Sequence, residues 1–227
     1  MRLVFLDPTS DLASNIRTIS RKLRINVVTY IDTFDTIIVV SNGTPDDQVM
    51  GIICHYCNGE RIAGIAKPPG ITGYAVIDLL VNYLKFRIKN IVILKDQEQE
   101  TIDEVFKNFK ERLNKNNIKH NLIKKEARLM IYNCSHAGRE FRIIFILNGL
   151  DKFEKHSIED HLVKCAEEFL KVKIDDKKDP KKVWKGLTRE QQEEIFKKLK
   201  ERKNKAYLIF PQHFEAFKFL EKTHGKG

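Results

Sequence analysis

Five consecutive residues, Thr36-Ile37-Ile38-Val39-Val40, constrain this chain more than any other feature. Side chains branched at Cβ are stiff and favour extended backbone. With no polar residue alternating among them, both faces of the resulting strand must be covered, as in a parallel sheet sandwiched between helices. Residues 90–95 repeat the pattern, and shorter strands are expected at 2–6, 25–30 and 61–67. Helices are expected between them: at 11–23, where Ser10 or Asp11 can cap the first turn; at 44–57, with Thr44 and Pro45 as cap and first helical residue; at 73–87, from the spacing of Val76, Leu79, Leu80, Tyr83 and Leu84; and in a long amphipathic stretch ending near 116. This alternation predicts an α/β fold with a mostly parallel, doubly wound sheet, whose ligands sit beyond the carboxyl ends of the strands.

From residue 119 the pattern changes. Segments 121–125, 128–134 and 139–147 read as successive strands, the last two joined by a turn at His136-Ala137-Gly138, which predicts antiparallel edge strands. The remainder is helical, at 157–171, 188–202 and 212–222, with 174–185 as a polar connector. Residues 1–150 therefore form the expected α/β core, including an N-terminal strand-helix-strand extension, and 151–227 a helical region packed on it.

The apolar runs are far shorter than the roughly 20 residues a membrane-spanning helix needs, so no membrane partner is expected. The N-terminus reads as a strand and not as a signal peptide. Four cysteines in 227 residues do not make a disulfide framework, which points to a reducing, cytoplasmic compartment. A charge carried mostly by Lys and Glu among many Ile residues matches a heat-adapted source. The net charge of +10 favours polyanionic partners, nucleic acid first among them, although the lysines concentrated after residue 164 also suit a solvated helix surface.

Two strand ends carry acids to where this fold places ligands. Asp96 and Glu98, two apart at the end of the 90–95 strand, can point the same way and share a hard divalent cation such as Mg²⁺ or Mn²⁺, set against a phosphate. Asp46 and Asp47 follow the 36–40 strand, where they also complement a helix dipole. Glu159 and Asp160 open a helix after Ser157, as capping acids do. Cys54, Cys57, Cys134 and His136 have the chemistry of a structural zinc site, but buried apolar cysteine is the simpler account. The loop from Lys67 to Gly73 has glycines that suit an anion yet lacks the Gly-Lys-Ser/Thr ending of a P-loop, so a plain turn is favoured. Trp184 and the phenylalanines of 210–219 read as core.

Together, Asn42-Gly43-Thr44-Pro45-Asp46 after one strand, Asp96-Gln97-Glu98 after another and His156-Ser157-Ile158-Glu159-Asp160-His161-Leu162 at a helix start resemble, in order, the motifs of Toprim domains, found in topoisomerases, primases and several nucleases. The resemblance spans roughly residues 36–206. It implies a Toprim-like protein that holds Mg²⁺ at Asp96 and Glu98, with Glu159 and Asp160 as a second acidic pair. Asp46, Asp96 and Glu98 would do the chemistry, and Asn42, Gly43, Arg61 and Lys67 would grip the substrate. The implied function is action on nucleic-acid phosphates, with phosphodiester hydrolysis as the natural reaction. One departure matters: Asn42 stands where the family has a glutamate acting as general acid/base, and an amide exchanges no proton at neutral pH. The alternatives are therefore a degenerate module that binds nucleic acid or protein without catalysis, and a nucleotide-binding enzyme using 42–44 and 70–73 around a phosphate. No tyrosine sits in a nucleophile context, which argues against a topoisomerase reaction.

Overall fold

The apolar runs become strands of one sheet. The computed structural model describes residues 1–28, 33–41, 44–57, 61–174 and 179–222, with the side chain of Thr44 left out. Among them, β1 (Arg2–Phe5), β2 (Thr36–Val40), β3 (Ile62–Ala66), β4 (Asn90–Asp96), β5 (Lys119–Glu126), β6 (Leu129–His136) and β7 (Arg139–Asn148) pair in the order β1-β3-β2-β4-β7-β6-β5. The pairs from β1 through β7 are parallel, while β7 with β6 and β6 with β5 are antiparallel. The α/β class and the antiparallel edge agree with the sequence. The N-terminal strand extends this same sheet, because β1 pairs with β3.

Both faces are covered, as the unbroken β2 run requires. On one face Ile38, Val40, Val92, Leu94, Ile144 and Ile146 pack against α1 (Asp11–Leu23), α2 (Thr44–Tyr56), α5 (Ile158–Leu170) and the helices after it. On the other, Ile37, Val39, Ile91, Ile93 and Phe145 meet α4 (Ile102–Lys115) and the segment Gly73–Phe86. Each fully buried Val or Ile side chain contributes about 1.5–3 kcal/mol. A polar residue anywhere in β2 would forfeit that on one face or the other.

Local chemistry sets the element ends. Ser10 Oγ accepts from Ala13 N–H at 3.3 Å to start α1. Ala137 and Gly138, with φ of 47° and 76°, make the left-handed two-residue turn that a tight hairpin demands between β6 and β7. Among the described residues no helix is long and apolar enough to cross a membrane.

Three expectations need correction. The 25–30 strand reduces, within the described residues, to a single bridge in which Val28 N–H donates to Leu3 C=O at 2.8 Å; residues 29 and 30 lie outside them. The 73–87 helix is a chain of short pieces, 3₁₀ over Gly73–Leu79, α3 (Leu80–Tyr83) and 3₁₀ over Leu84–Phe86. It starts after Thr72 with no side-chain cap, and i→i+3 bonding satisfies the end groups that a cap would otherwise take. The connector at 174–185 contains a helix, α6 (Pro180–Gly186). Asp179 caps it by accepting from the N–H groups of Lys181 and Lys182, and Pro180 takes the first helical position. Trp184 of α6 is buried with its ring 5.7 Å from Phe196 of α7 (Arg189–Glu201), and α8 (Lys203–Ile209) and α9 (Pro211–Lys222) follow.

The strand order locates a crevice. From β2 the chain passes through α2 to β3 on one side of the sheet, and from β4 it moves to the other side, towards β7. Since β2 and β4 are neighbours, their carboxyl ends flank the point where the winding reverses, which is where open α/β sheets bind ligands.

Candidate functional site

Asp46 and Asp96 straddle that crevice. Asp46 lies in the first turn of α2, just after β2, and Asp96 is the last residue of β4. Between them stands a residue that the sequence reading passed over: Asn148, the last residue of β7, paired in register with Asp96. Its side-chain amide donates to Asp46 Oδ1 and to Asp96 Oδ1, each at 3.0 Å. A helix start and a strand end thus bring carboxyl groups to one shared amide. Ser41 Oγ donates to Leu94 C=O at 2.6 Å and ties the end of β2 to β4 beside them.

The orientation of the Asn148 amide is fixed from below by α9. His213 Nε2 lies 2.9 Å from Asn148 Oδ1. Because Asn148 spends its NH₂ group on two carboxylates, its oxygen must accept, and His213 must carry its proton on Nε2. His213 and its neighbour His161 are wholly buried, which holds His213 well below the usual histidine range and pushes His161 down to about 3. In His161 the proton is on Nδ1, which donates to Ile209 C=O at 2.6 Å, leaving Nε2 to accept Gly149 N–H at 3.2 Å. Both rings are neutral donors in a polar floor beneath the acids.

Above that floor the acids gather round one ammonium. Lys181 Nζ of α6 is 2.5 Å from Glu98 Oε1 and 3.6 Å from Asp96 Oδ2. Parity along a strand does not bring Asp96 and Glu98 together, since β4 ends at Asp96 and Glu98 has a φ of 58°. They converge through the lysine. Burial opposes the Lys181 charge, but the Glu98 hydrogen bond and the charges of Asp96, Glu98 and Glu159 outweigh it and raise its pKa. Asp96 also accepts Ile158 N–H, at the start of α5, at 3.2 Å. Burial pushes its carboxyl up to about 7; the Asn148 hydrogen bond and Lys181 pull the other way, and Glu159 and Glu98 add to the rise.

The other expected residues divide. Glu159 belongs to the cluster: it is buried, its charge acts on Asp96 and Lys181, and its Oε2 has no hydrogen-bond partner. Asp160, one residue on, points elsewhere and holds the start of α5. It accepts the N–H groups of Leu150 at 2.9 Å and Ser157 at 3.1 Å and lies 3.2 Å from His156 Nδ1, while burial pushes its carboxyl up to about 6. The capping reading of Asp160 holds, and its pairing with Glu159 in a metal site does not. Lys67, past the end of β3, pairs with buried Asp47 at 3.3 Å, and Asn15 donates to the same Asp47 oxygen at 3.0 Å. Arg61 sits at the opposite, amino end of β3, where it donates to Leu220 C=O at 2.8 Å and pairs with Asp35 at 3.4 Å. It fastens α9 to the sheet, and the substrate contact expected of it is corrected accordingly. Asn42 and Gly43 lie outside the described residues.

Zinc is excluded as read from the cysteines. Cys54 and Cys57 are buried on one face of the sheet and Cys134 on the other. Burial also pushes the Cys57 and Cys134 thiols up to about 12. Among the described residues no three His, Cys, Asp or Glu side chains converge closely enough to ligate one ion by themselves.

Fold and site together define a doubly wound α/β protein with a buried acid cluster at its switch point, closed by an internal ammonium. Compared with protein-family models, with curated proteins and with solved structures, the chain finds no match in any of the three.

Proposed function

We propose that this chain is a cytoplasmic, Toprim-like protein that binds Mg²⁺ through Asp96 and Glu98 and acts on nucleic-acid phosphates, with phosphodiester hydrolysis as its reaction. One observation carries the reading: the carboxylates of Asp46, in the first turn of α2, and Asp96, at the end of β4, meet on the Asn148 amide at the switch point. The donor set fits the ion. Mg²⁺ typically takes only one or two protein carboxylates and keeps several waters, so the lack of a third converging ligand is no obstacle. Asp96 and Glu98 already attract a cation, the Lys181 ammonium. Bound there, Mg²⁺ would neutralise charge building on a phosphate. Asp46, held by Asn148, is the group placed to accept a proton at the same spot. The net charge of +10 would draw the polyanion in.

The test is cleavage of labelled single- and double-stranded DNA and RNA with and without Mg²⁺ or Mn²⁺, in wild type and in Asp96→Asn and Glu98→Gln. Metal-dependent cleavage abolished by Asp96→Asn supports the reading. Cleavage that survives in that variant, or in EDTA, refutes it.

A second reading has its own observation. The cluster already holds an ammonium, and the first motif carries Asn42 in place of an acid, which together favour a binding module that does not cleave. That module would bind nucleic acid with a steep salt dependence, no metal dependence and no product.

A further inference from the structure

We infer that Lys181 is a built-in competitor for the cation of this site, and that a divalent ion gains Asp96 and Glu98 only by displacing its ammonium. The inference rests on the metal-binding reading above and adds how that site is regulated. Lys181 Nζ lies 2.5 Å from Glu98 Oε1 and 3.6 Å from Asp96 Oδ2, so it occupies the oxygens an ion would need. Mg²⁺ would have to approach those same oxygens to about 2.1 Å. Two cations that close, on shared ligand oxygens, exclude one another.

The cluster holds more negative charge than Lys181 cancels. Asp96 and Glu98 pair with a single ammonium, the charge of Glu159 also acts on it, and Glu159, itself more than nine-tenths buried, has an Oε2 with no hydrogen-bond partner. A buried, unpartnered carboxylate oxygen whose charge acts on that ion pair is a place where a second unit of positive charge would be stabilised.

Lys181 is also mounted so that it can leave. Its side chain is 38% exposed, while the helix that carries it is fastened independently, by the Asp179 cap at one end and by Trp184 packed on Phe196 at the other. The lysine can therefore swing into solvent without α6 detaching. Trp184, the chain's one tryptophan, lies three residues along the same helix and reports whether α6 moves.

The experiment is titration of the full-length chain with MnCl₂, followed by calorimetry and by the electron paramagnetic signal of free Mn²⁺, in wild type, Lys181→Met and Lys181→Arg. Lys181→Met should bind about ten- to a hundredfold more tightly than wild type, a coupling of ordinary allosteric size, and Lys181→Arg no more tightly than wild type. Lys181→Met should also melt at a lower temperature in EDTA and recover with Mn²⁺. A direct measurement on a chain with Lys181 intact guards against a variant that fails to fold. In ¹³C-methylated protein, the Lys181 signal, assigned by its loss in Lys181→Arg, should move to the exposed-lysine position as Mg²⁺ saturates, with Trp184 fluorescence unchanged. Equal Mn²⁺ affinity in wild type and Lys181→Met, or a Lys181 signal unmoved by bound Mg²⁺, overturns the competition and leaves the metal site standing. No Mn²⁺ binding by any of the three chains overturns both.

Discussion

Replacing Asn148 with leucine, which has the same branched skeleton without the amide, tests whether the acid cluster is an organised network. Asn148 is wholly buried and its side chain makes three hydrogen bonds: two donated to carboxylates at 3.0 Å and one accepted from His213 at 2.9 Å. A hydrogen bond to a charged partner contributes about 1.5–3 kcal/mol, and a buried N–H left without an acceptor costs about 1–3 kcal/mol. Losses within one network are not additive, so we expect a net destabilisation of about 4–6 kcal/mol, a large share of the roughly 5–15 kcal/mol that holds a typical domain folded. Urea unfolding followed by Trp184 fluorescence measures it, at a temperature where wild type is fully folded. Asn148→Asp separates the donor role from the acceptor role. It still accepts from His213 but sets a third carboxylate against Asp46 and Asp96, so its deficit relative to wild type should shrink as pH falls and one of the three takes up a proton to share. A loss below about 1.5 kcal/mol for Asn148→Leu, or a pH-independent deficit for Asn148→Asp, would refute the network.

His213→Gln keeps an N–H for Asn148 but cannot titrate. His213 has its folded pKa depressed by burial, so as pH falls below 6.5 the unfolded chain binds the proton first and stability is lost, by up to about 1.4 kcal/mol per pH unit for each such histidine. Asp96 and Asp160, raised to about 7 and about 6, act in the opposite sense between those values and pH 4, where the folded state binds protons first and gains. The stability difference between His213→Gln and wild type should therefore shift in favour of the variant below pH 6.5 in EDTA; a difference flat from pH 7 to 4.5 would contradict a buried neutral His213. Arg61→Met should cost about 2–3 kcal/mol in urea unfolding through the lost hold on Leu220, yet leave metal and nucleic-acid binding as in wild type. Gly149→Ala should cost about 3 kcal/mol by the same assay, because Gly149 has a φ of 134° and a Cβ there would lie 2.6 Å from His156 Cβ and 2.9 Å from Arg128 Nη1.

Much of the fold was legible because each element announces itself over a few adjacent residues. The Thr36–Val40 run, the Ser10 cap and the Ala137-Gly138 turn are local signals with local causes. The acids at strand ends were legible too, since Asp96 closes an apolar run and the fold class says where such ends lead. What the sequence does not display is partnership across long separations. Asn148 reads as the polar end of a strand, His213 as a residue inside a phenylalanine-rich helix, and Lys181 as one lysine among many in a polar stretch. Their roles appear only when β7 is placed next to β4, with α9 against Asn148 on one side and α6 bringing Lys181 to the acids on the other. Arg61 shows the converse: a cation beside a strand suggests an anion, but it lies at the amino end, away from the ligand crevice, and α9 claims it. The one readable hint of α6 was Asp179-Pro180, a cap followed by a proline suited to the first helical turn.

A buried acid cluster is costly, and the way this chain meets that cost bears on what the cluster is for. If Asp46, Asp96 and Glu159 served stability alone, apolar side chains of similar volume would serve as well or better, since desolvating a charge commonly exceeds what its partners return. The chain instead holds Asp46 and Asp96 with groups that do not neutralise them: the Asn148 amide, itself fixed by the neutral His213, and the Ile158 N–H. The full positive charge paired with Asp96 comes from Lys181, which also pairs with Glu98 and sits on a separate short helix, its side chain part-exposed. Local rules of folding are usually broken where function requires it. Fixed dipoles below and a displaceable cation above are what a site needs if its carboxylates are to stay in position while the ion that pairs with them is exchanged.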